Sequence, residues 1–206
     1  MDKIKVLIAD DHTIVRIGLS ALLGTQPDIE VVGEADNGDA TVKTALKLNP
    51  DIVIMDLMMP KKDGVSATAE LHAKLPDTKV IILTSYSSSD GIAHALEAGA
   101  RGAIVKTADD SALISAIRKV AAGERFVSPS IRKMLKDSPP VPELTDRQRE
   151  IVESMARGLS NIDIATQFGI SPTVAREHIT TILNKLGAAT RTEAVAIALR
   201  KHLLKI

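Results

Sequence analysis

The sequence contains no cysteine and no tryptophan, and its aromatic residues are one tyrosine and two phenylalanines. The absence of cysteine excludes disulfides, thiolate catalysis and thiolate metal sites. Because aromatic side chains are so few, the hydrophobic cores have to be built from Ile, Leu, Val, Ala and Met. No run of about 18 apolar residues occurs and charges flank the first apolar run, so neither a membrane span nor a signal peptide is expected. We therefore expect a cytoplasmic protein that does not associate with membranes.

The formal net charge of the 206 residues is zero, but the charge is unevenly distributed. Residues 1–125 carry 14 Lys and Arg against 18 Asp and Glu, whereas residues 143–206 carry 9 against 7. The sign of this asymmetry favours a nucleic-acid partner for the C-terminal part. Because the positive surplus there is small, tight DNA binding would need clustered charge or dimerisation.

Short apolar runs alternate with helical patterns throughout residues 1–125. This alternation predicts an α/β domain of flavodoxin-like order, a (βα)5 unit with a parallel five-stranded sheet. In such sheets the functional crevice lies at the carboxyl ends of the strands. The predicted strands are Lys5–Ala9, Ile29–Glu34, Ile52–Met55, Val80–Thr84 and Gly102–Val105. The predicted helices are Thr13–Leu23, Gly38–Leu48, Gly64–Lys74, Ser89–Ala98 and Asp109–Ala122.

The rest of the chain divides into a linker and a small all-α module. Residues 126–142 contain four prolines and three serines, which indicates a linker with room for one helical turn around Ile131–Lys136. Residues 143–206 form four helical segments with glycines at the breaks. Their first residues follow the capping residues Thr145, Ser160 and Ser171. The segments are Asp146–Ala156, Asn161–Gln167, Pro172–Leu186 and a last one from Thr190 or Thr192 to about Leu203.

Polar side chains of complementary charge stand where the predicted strands end. Asp10 and Asp11 follow the first strand and Asp56 follows the third, while Thr84 ends the fourth and Lys106 follows the fifth. Carboxylates at one rim repel each other unless a cation lies among them, and oxygen-only ligands suit Mg²⁺. A carboxylate can also act as a nucleophile that forms an aspartyl phosphate. Mg²⁺, a lysine and a hydroxyl would then stabilise the charge on the phosphoryl oxygens.

Aspartates at strand ends have a more ordinary role, which is to cap the helix that follows. Asp10 or Asp11 could cap the helix that begins near Thr13. For a single aspartate, capping is the more common explanation. It does not account for five residues of complementary type at one rim, so we interpret the rim as a phosphoryl-transfer site.

Residues 4–122 resemble the receiver domains of two-component response regulators, through the sequences VLIADDH, IVIMDLMMPKKDG, VIILTS and GAIVKT. The resemblance implies that Asp56 accepts a phosphoryl group from a sensor histidine kinase. It also implies a Mg²⁺ site in which Asp11 and Asp56 are ligands. Asp10 would act through a water molecule, and the backbone carbonyl of Met58 would complete the site.

The same resemblance implies that Lys106 pairs with the phosphoryl group and that Thr84 moves to hydrogen-bond it. The chain departs from the pattern at Ala103, because many receivers carry Tyr or Phe three residues before the lysine. That ring cannot link Thr84 to the last helices here. Tyr86 is expected close to the site, either as a switch residue or as a shield over the pocket. From the sequence, Ala103→Tyr is expected to change phosphate-dependent dimerisation little.

The C-terminal segments also fit a helix-turn-helix, which needs two short helices, a tight turn and an exposed second helix. Asn161–Gln167, the turn FGIS and Pro172–Leu186 provide these parts. Any small helical bundle shows similar spacing, so the spacing by itself does not establish DNA binding. The residues expected to be buried between the two helices are Ile162, Ile164, Ala165, Phe168, Ile179, Ile182 and Leu183.

Residues 143–204 resemble the LuxR-type helix-turn-helix of NarL/FixJ regulators, through LTDRQRE, GLSN, HITTILNKLG and RTEA. The resemblance implies promoter double-stranded DNA as the partner. Arg176 could pair with guanine, and Glu177 could accept from cytosine or repel phosphate. The implied groove-facing residues are Arg176, Glu177 and Thr180. The implied phosphate contacts are Ser171, Thr173, Lys185 and Arg191, although Lys185 could equally be solvated surface.

Together these patterns predict a DNA-binding transcription regulator, with a receiver in residues 1–125, a linker in 126–142 and a helix-turn-helix domain in 143–206. Phosphorylation of Asp56 would shift the receiver, favour a homodimer and control DNA binding. A phosphatase is the alternative enzyme, but Met58 stands where its second carboxylate is needed, so no enzyme is predicted. A second alternative is a phosphorylation-independent DNA-binding protein with the receiver as a scaffold.

Overall fold

The computed structural model of the protein describes residues 3–85, 89–137, 144–200 and 203–204. Tyr86 lies outside these residues, so its predicted role stays a prediction. The chain divides into two compact units, Met1–Pro139 and Pro140–Ile206. None of the helices in the described ranges has the length and hydrophobicity that crossing a bilayer requires.

The first unit is built on a parallel sheet with the strand order β2-β1-β3-β4-β5-β6. The order of the first five strands confirms the flavodoxin-like prediction, and every predicted strand and helix of residues 1–125 is found within one residue. The strands are β1 (Ile4–Ala9), β2 (Ile29–Ala35), β3 (Ile52–Met55), β4 (Lys79–Thr84), β5 (Gly102–Val105) and β6 (Phe126–Val127). The helices are α1 (Thr13–Gly24), α2 (Gly38–Leu48), α3 (Gly64–Lys74), α4 (Ser89–Glu97), α5 (Asp110–Ala121) and α6 (Pro129–Asp137).

The central strands are mostly apolar because both faces of the sheet are covered by helices. All four residues of β3 are buried. Val53 and Met55 belong to one hydrophobic cluster, and Ile52 and Ile54 belong to a second cluster. Since successive side chains of a strand point to opposite faces, the two clusters are the cores on the two sides of the sheet. Because neighbouring strands are parallel, the carboxyl ends of β1, β3, β4 and β5 lie at the same edge of the sheet.

Residues 126–137 correct the predicted linker, because they complete the first unit. Strand β6 pairs with β5 and makes the sheet six-stranded, and α6 packs on α4 and β5. Ile131 of α6 is fully buried, in the same hydrophobic cluster as Ala103. Pro129 is the first residue of α6, where the N–H that proline lacks would have no partner in the helix. The other three prolines of the predicted linker lie outside the described residues.

This packing revises what is expected of Ala103→Tyr. Ala103 has no exposed surface and shares its cluster with Ile131, so a tyrosine ring would overpack the space beneath α6. We expect the receiver's free energy of unfolding to fall by about 1–3 kcal/mol, and α6 to loosen. Hydrogen exchange of the α6 amides measures the loosening. Ala73→Tyr on exposed α3 surface is the control, and unchanged protection of α6 would contradict the expectation.

The second unit consists, in its described residues, of four helices with the predicted caps. Thr145 with Gln148, and Ser160 with Asp163, form reciprocal capping boxes, while Ser171 accepts from the backbone N–H of Val174. The last helix runs to Arg200, where the described residues break off before Leu203, so its predicted end near Leu203 stays a prediction. The helices are α7 (Asp146–Ala156), α8 (Asn161–Phe168), α9 (Pro172–Leu186) and α10 (Arg191–Arg200).

The core of this unit confirms most of the predicted contact between α8 and α9. Ile164, Ala165, Ile179 and Ile182 are buried, and Phe168 and Leu183 pack against them. Ile162 is the exception, since it is 67% exposed. It lies in the first turn of α8, two residues before Ile164, and residues two apart do not share a helix face.

Candidate functional site

The sheet brings the predicted rim residues together at the carboxyl ends of its strands. Asp10, Asp56 and Thr84 are 1%, 4% and 1% exposed, respectively. The backbone N–H of Asp56 donates to the carbonyl of Ala9 at 2.8 Å, and that of Lys106 donates to the carbonyl of Thr84 at 2.7 Å. The strand pairing therefore extends one residue past β3 and β5 and fixes where these side chains begin.

Lys106 lies between the two buried carboxylates. Its Nζ atom is 2.6 Å from Oδ2 of Asp10 and 3.0 Å from Oδ2 of Asp56. Burial raises the pKa of Asp56 above its ordinary value, although Lys106 opposes the shift. Burial lowers the pKa of Lys106, but its hydrogen bonds to Asp10 and Asp56 outweigh this, so the pKa is raised overall. The ammonium therefore stays charged and partly neutralises the acidic rim.

A candidate cation site adjoins this ion pair. Asp10, Asp11, His12 and Asp56 each offer one ligand atom, and the four atoms all lie within 4.8 Å of one another. Three carboxylates are a donor set that suits a hard cation such as Mg²⁺. The residues present thus fit the Mg²⁺ site that the sequence suggested.

His12 is a member of this cluster that sequence reasoning missed. Its Nδ1 atom is 2.9 Å from Oδ1 of Asp11 and 3.1 Å from Oδ1 of Asp10. The signal was present in the sequence, because the imidazole directly follows the acidic pair. His12 is also the N-cap of α1, and its side chain makes no capping bond. Asp10 accepts from the backbone N–H of His12. The N-cap of α1 is therefore His12, and neither Asp10 nor Asp11 caps this helix as the alternative interpretation proposed.

The loop after Asp56 folds back onto it. The backbone N–H of Leu57 donates to Oδ1 of Asp56 at 2.8 Å, and the N–H of Gly64 donates to the carbonyl of Leu57 at 2.9 Å. A Cβ atom at Gly64 would lie 2.1 Å from the carbonyl oxygen of Asp56. Only glycine permits this approach, which is why the loop can close so tightly over the site.

In the second unit, α9 presents a polar surface opposite its buried one. Its buried residues face the core of the unit, and most of the other side chains of the helix are exposed. The predicted groove-facing residues and Thr173 all belong to the exposed set. The helix thus has the free face that entry into a major groove requires. The buried residues are Ala175, Ile179, Ile182 and Leu186; the exposed ones include Thr173, Arg176, Glu177 and Thr180.

Three of the four predicted phosphate contacts have internal partners. Ser171 caps α9. Lys185 donates to Oε1 of Gln148 at 3.0 Å. Arg191 donates to Oδ1 of Asn161 at 3.1 Å and to the carbonyl of Leu159. The bonds of Lys185 and Arg191 connect α9 and α10 to α7 and α8, a structural role that sequence reasoning missed. Phosphate contact by these residues stays a prediction.

Comparisons with known proteins agree with both units. Residues 6–118 match the response regulator receiver domain, and residues 142–198 match bacterial regulatory proteins of the luxR family. The chain is 40% identical over 207 residues to response regulator protein VraR of Staphylococcus epidermidis, covering 98% of this chain and 99% of that protein. It is 39% identical over 207 residues to VraR of Staphylococcus aureus, with the same coverage.

Solved structures show the same fold. The response regulator ChrA of a heme-sensing two-component system is 35% identical, with a TM-score of 0.59 over 99% of this chain and 100% of that chain. The RcsB response regulator in a complex with DNA is 24% identical, with a TM-score of 0.67 over 97% and 99% of the two chains. The second likeness supports the fold alone.

Proposed function

We propose a mechanism from the premise that this chain belongs to the response regulators, with a receiver domain followed by a LuxR-type DNA-binding domain. Such a chain is a transcription regulator and not an enzyme, which removes the phosphatase alternative. We infer that Asp56 is the phosphoryl acceptor, that a sensor histidine kinase is the donor, and that the modification controls binding of the second unit to promoter DNA. The convergence of Asp56, Lys106 and two further carboxylates at one rim carries this proposal.

The chemistry follows from the charges at the rim. A carboxylate oxygen of Asp56 attacks phosphorus while the bond from phosphorus to the kinase imidazole nitrogen breaks, and the electron pair returns to that nitrogen. Lys106, which is 3.0 Å from Asp56, is placed to pair with a phosphoryl oxygen. The hydroxyl of Thr84 would donate to another phosphoryl oxygen.

The metal in this proposal is held by residues of this chain. Asp11, Asp56 and the backbone carbonyl of Met58 would be ligands, and Asp10 would act through water. When bound, Mg²⁺ would neutralise part of the negative charge on the phosphoryl oxygens.

The mass of the intact protein measures transfer of the phosphoryl group to Asp56. The full chain is incubated with a small phosphoryl donor, with and without Mg²⁺, and one added phosphoryl group is expected only with the metal. Asp56→Asn should take up none, whereas Asp77→Asn, which removes an exposed carboxylate on the same unit, should behave as wild type. Equal uptake by Asp56→Asn, or none by wild type, would refute the mechanism.

Phosphorylation of Asp56 is also expected to change how the protein binds DNA. Phosphorylation adds about two negative charges at the rim, and we propose that this favours a homodimer that occupies two half-sites. Sedimentation of phosphorylated and unmodified protein measures the first part, and the DNA affinity of the two forms measures the second. Identical affinity in both forms would favour the scaffold alternative, in which the receiver does not regulate the helix-turn-helix.

Arg176 provides a prediction on sequence readout. It is exposed on α9, and if it pairs with guanine, Arg176→Ala should reduce the free energy of specific binding by about 1–3 kcal/mol. Arg157→Ala removes an equally exposed arginine just after α7 and serves as the control for charge. The measurement is affinity for a site selected from random DNA, at fixed salt. The same loss in both variants would indicate a general charge effect without base readout.

A further inference from the structure

The loop between Asp56 and α3 contains a lysine that contacts two helices at once. Nζ of Lys62 lies 2.7 Å from Oδ1 of Asp39 and 2.6 Å from Oε2 of Glu70. Asp39 is in the first turn of α2, and Glu70 is in the middle of α3. One ammonium group therefore ties the loop to both neighbouring helices.

The backbone reinforces this attachment at the same residue. The N–H of Gly38 donates to the carbonyl of Lys62 at 3.0 Å. A Cβ atom at Gly38 would lie 2.4 Å from that carbonyl oxygen, so the loop touches the start of α2 directly. The preceding residue, Lys61, has the left-handed φ of 67°. The turn thus directs Lys62 back toward α2 and α3.

The side chains of the loop divide it into two parts. Leu57 and Met59 are buried in the hydrophobic cluster of the first unit. Met58 between them is 68% exposed, and Pro60 and Lys61 are also exposed. Beyond Met59, two loop side chains reach the helices: Asp63 caps α3 by accepting from the backbone N–H of Ser66, and Lys62 contacts both α2 and α3. Of these two side chains, that of Lys62 connects this half of the loop to both helices.

The pKa shifts in this cluster have the directions that its ion pairs require. The hydrogen bonds that Lys62 donates to Asp39 and Glu70 raise its pKa above the ordinary value. Lys62 and then Lys74 lower the pKa of Glu70 to about 2. The side chain of Lys62 is 26% exposed, against 52% for Lys74. Lys74 lies on α3 itself, so its bond to Glu70 holds no part of the loop.

We propose that Lys62 is a positioning residue for the metal site: by holding the loop against α2 and α3, it fixes the backbone carbonyl of Met58 where a Mg²⁺ ligand is needed. This inference rests on the proposed function. Lys62 itself touches neither the metal nor the phosphoryl group in this account. Its effect passes through the backbone from residue 62 to residue 58.

The sign of the effect separates positioning from simple electrostatics. Removing a positive charge near a divalent cation tightens binding through the long-range Coulomb term. Loosening a ligand weakens binding, and partners that orient a metal ligand contribute about tenfold or more in affinity. Lys62→Met is therefore expected to bind Mg²⁺ about tenfold more weakly. Electrostatics alone predicts the opposite direction.

Isothermal titration of the full chain with MgCl₂ measures the dissociation constant. Lys62→Arg, which keeps both ion pairs, should remain close to wild type. Lys74→Met is the matched control. It removes one positive charge and one ion pair with Glu70, as Lys62→Met does, but it does not release the loop. It should bind Mg²⁺ as tightly as wild type or more tightly. Circular dichroism and a thermal melt verify that each variant is folded.

The outcomes distinguish the positioning role of Lys62 from the proposed function on which it rests. Unchanged or tighter Mg²⁺ binding by Lys62→Met, or equal weakening by Lys74→Met, would overturn the positioning role. If Lys62→Met does not fold, Asp39→Ala leaves the lysine in place and removes its ion pair with α2, so weaker binding is again expected and unchanged binding overturns the proposal. Wild type that neither binds Mg²⁺ nor takes up a phosphoryl group would instead refute the proposed function.

Discussion

Replacing Lys106 by methionine is expected to lower the receiver's free energy of unfolding by about 3–5 kcal/mol in the absence of Mg²⁺, because breaking a buried ion pair leaves an uncompensated charge. The two carboxylates that it contacts are almost fully buried, with side chains 2% and 5% exposed in Asp10 and Asp56. Without the ammonium they face each other across the rim. The charge repulsion is then relieved by protonation or by a bound cation.

The pH dependence of this loss has a definite sign. Burial already raises the pKa of Asp56, and removal of Lys106 raises it further, because the lysine favours the charged carboxylate. A carboxyl group with a raised pKa in the folded state stabilises that state at low pH and loses the effect as the pH rises through that pKa. The deficit of the variant is therefore largest at neutral pH. It should shrink as the pH falls through the raised pKa of Asp56.

Urea unfolding of the full chain, followed through the receiver transition, measures both effects. Lys43→Met removes an exposed lysine of the same unit and should change the midpoint little. Mg²⁺ should raise the midpoint of Lys106→Met more than that of wild type, since a ligand that binds only the folded state stabilises it by mass action. A variant as stable as wild type at neutral pH would show that the three side chains are well solvated.

Truncation of Ile131 to alanine is expected to cost the receiver about 2–5 kcal/mol, the range for removing a large aliphatic side chain from a core. Ile131 has no exposed surface and lies in the cluster that includes Ile92 of α4 and Ala103 of β5. The cavity would open between α6 and the sheet. Hydrogen exchange should then show α6 losing protection before the central strands do.

Lys133→Ala supplies the control for this prediction, since it shortens an exposed side chain of the same helix. Its unfolding midpoint should stay near that of wild type. If Ile131→Ala is equally mild, α6 contributes little to the stability of the receiver, and residues 126–137 would behave in solution as the linker that the sequence suggested.

The elements of the receiver could be predicted from local patterns because each depends on residues close in sequence. The first five strands are short segments of four to seven mostly apolar residues, and Asn37, Asp63 and Asp109 cap the helices α2, α3 and α5. The prediction of a linker failed for residues 126–137, because a proline such as Pro129 can interrupt a helix or begin one. The choice between these roles is made by the exposed edge of β5 and the space above Ala103, and both are tertiary features.

The rim of the site could be predicted for a similar reason. Asp10, Asp56, Thr84 and Lys106 are each defined by the end of a strand, and parallel strands end at one edge. Lys62 could not be predicted in this way. Its partners Asp39 and Glu70 are on helices whose separation is set by their packing on the sheet, and a lysine in a loop carries no periodic signal.

The pairing of β6 with β5 has a consequence for how this protein can be divided. A strand at the border of a sheet offers unpaired N–H and C=O groups to any other chain, and natural sheets limit this with very short edge strands. β6 has two residues and is such a strand. A fragment cut after residue 125 would uncover β5 and the apolar floor under α6, and would invite self-association unrelated to phosphorylation. A receiver prepared for study by itself therefore needs to extend through Asp137.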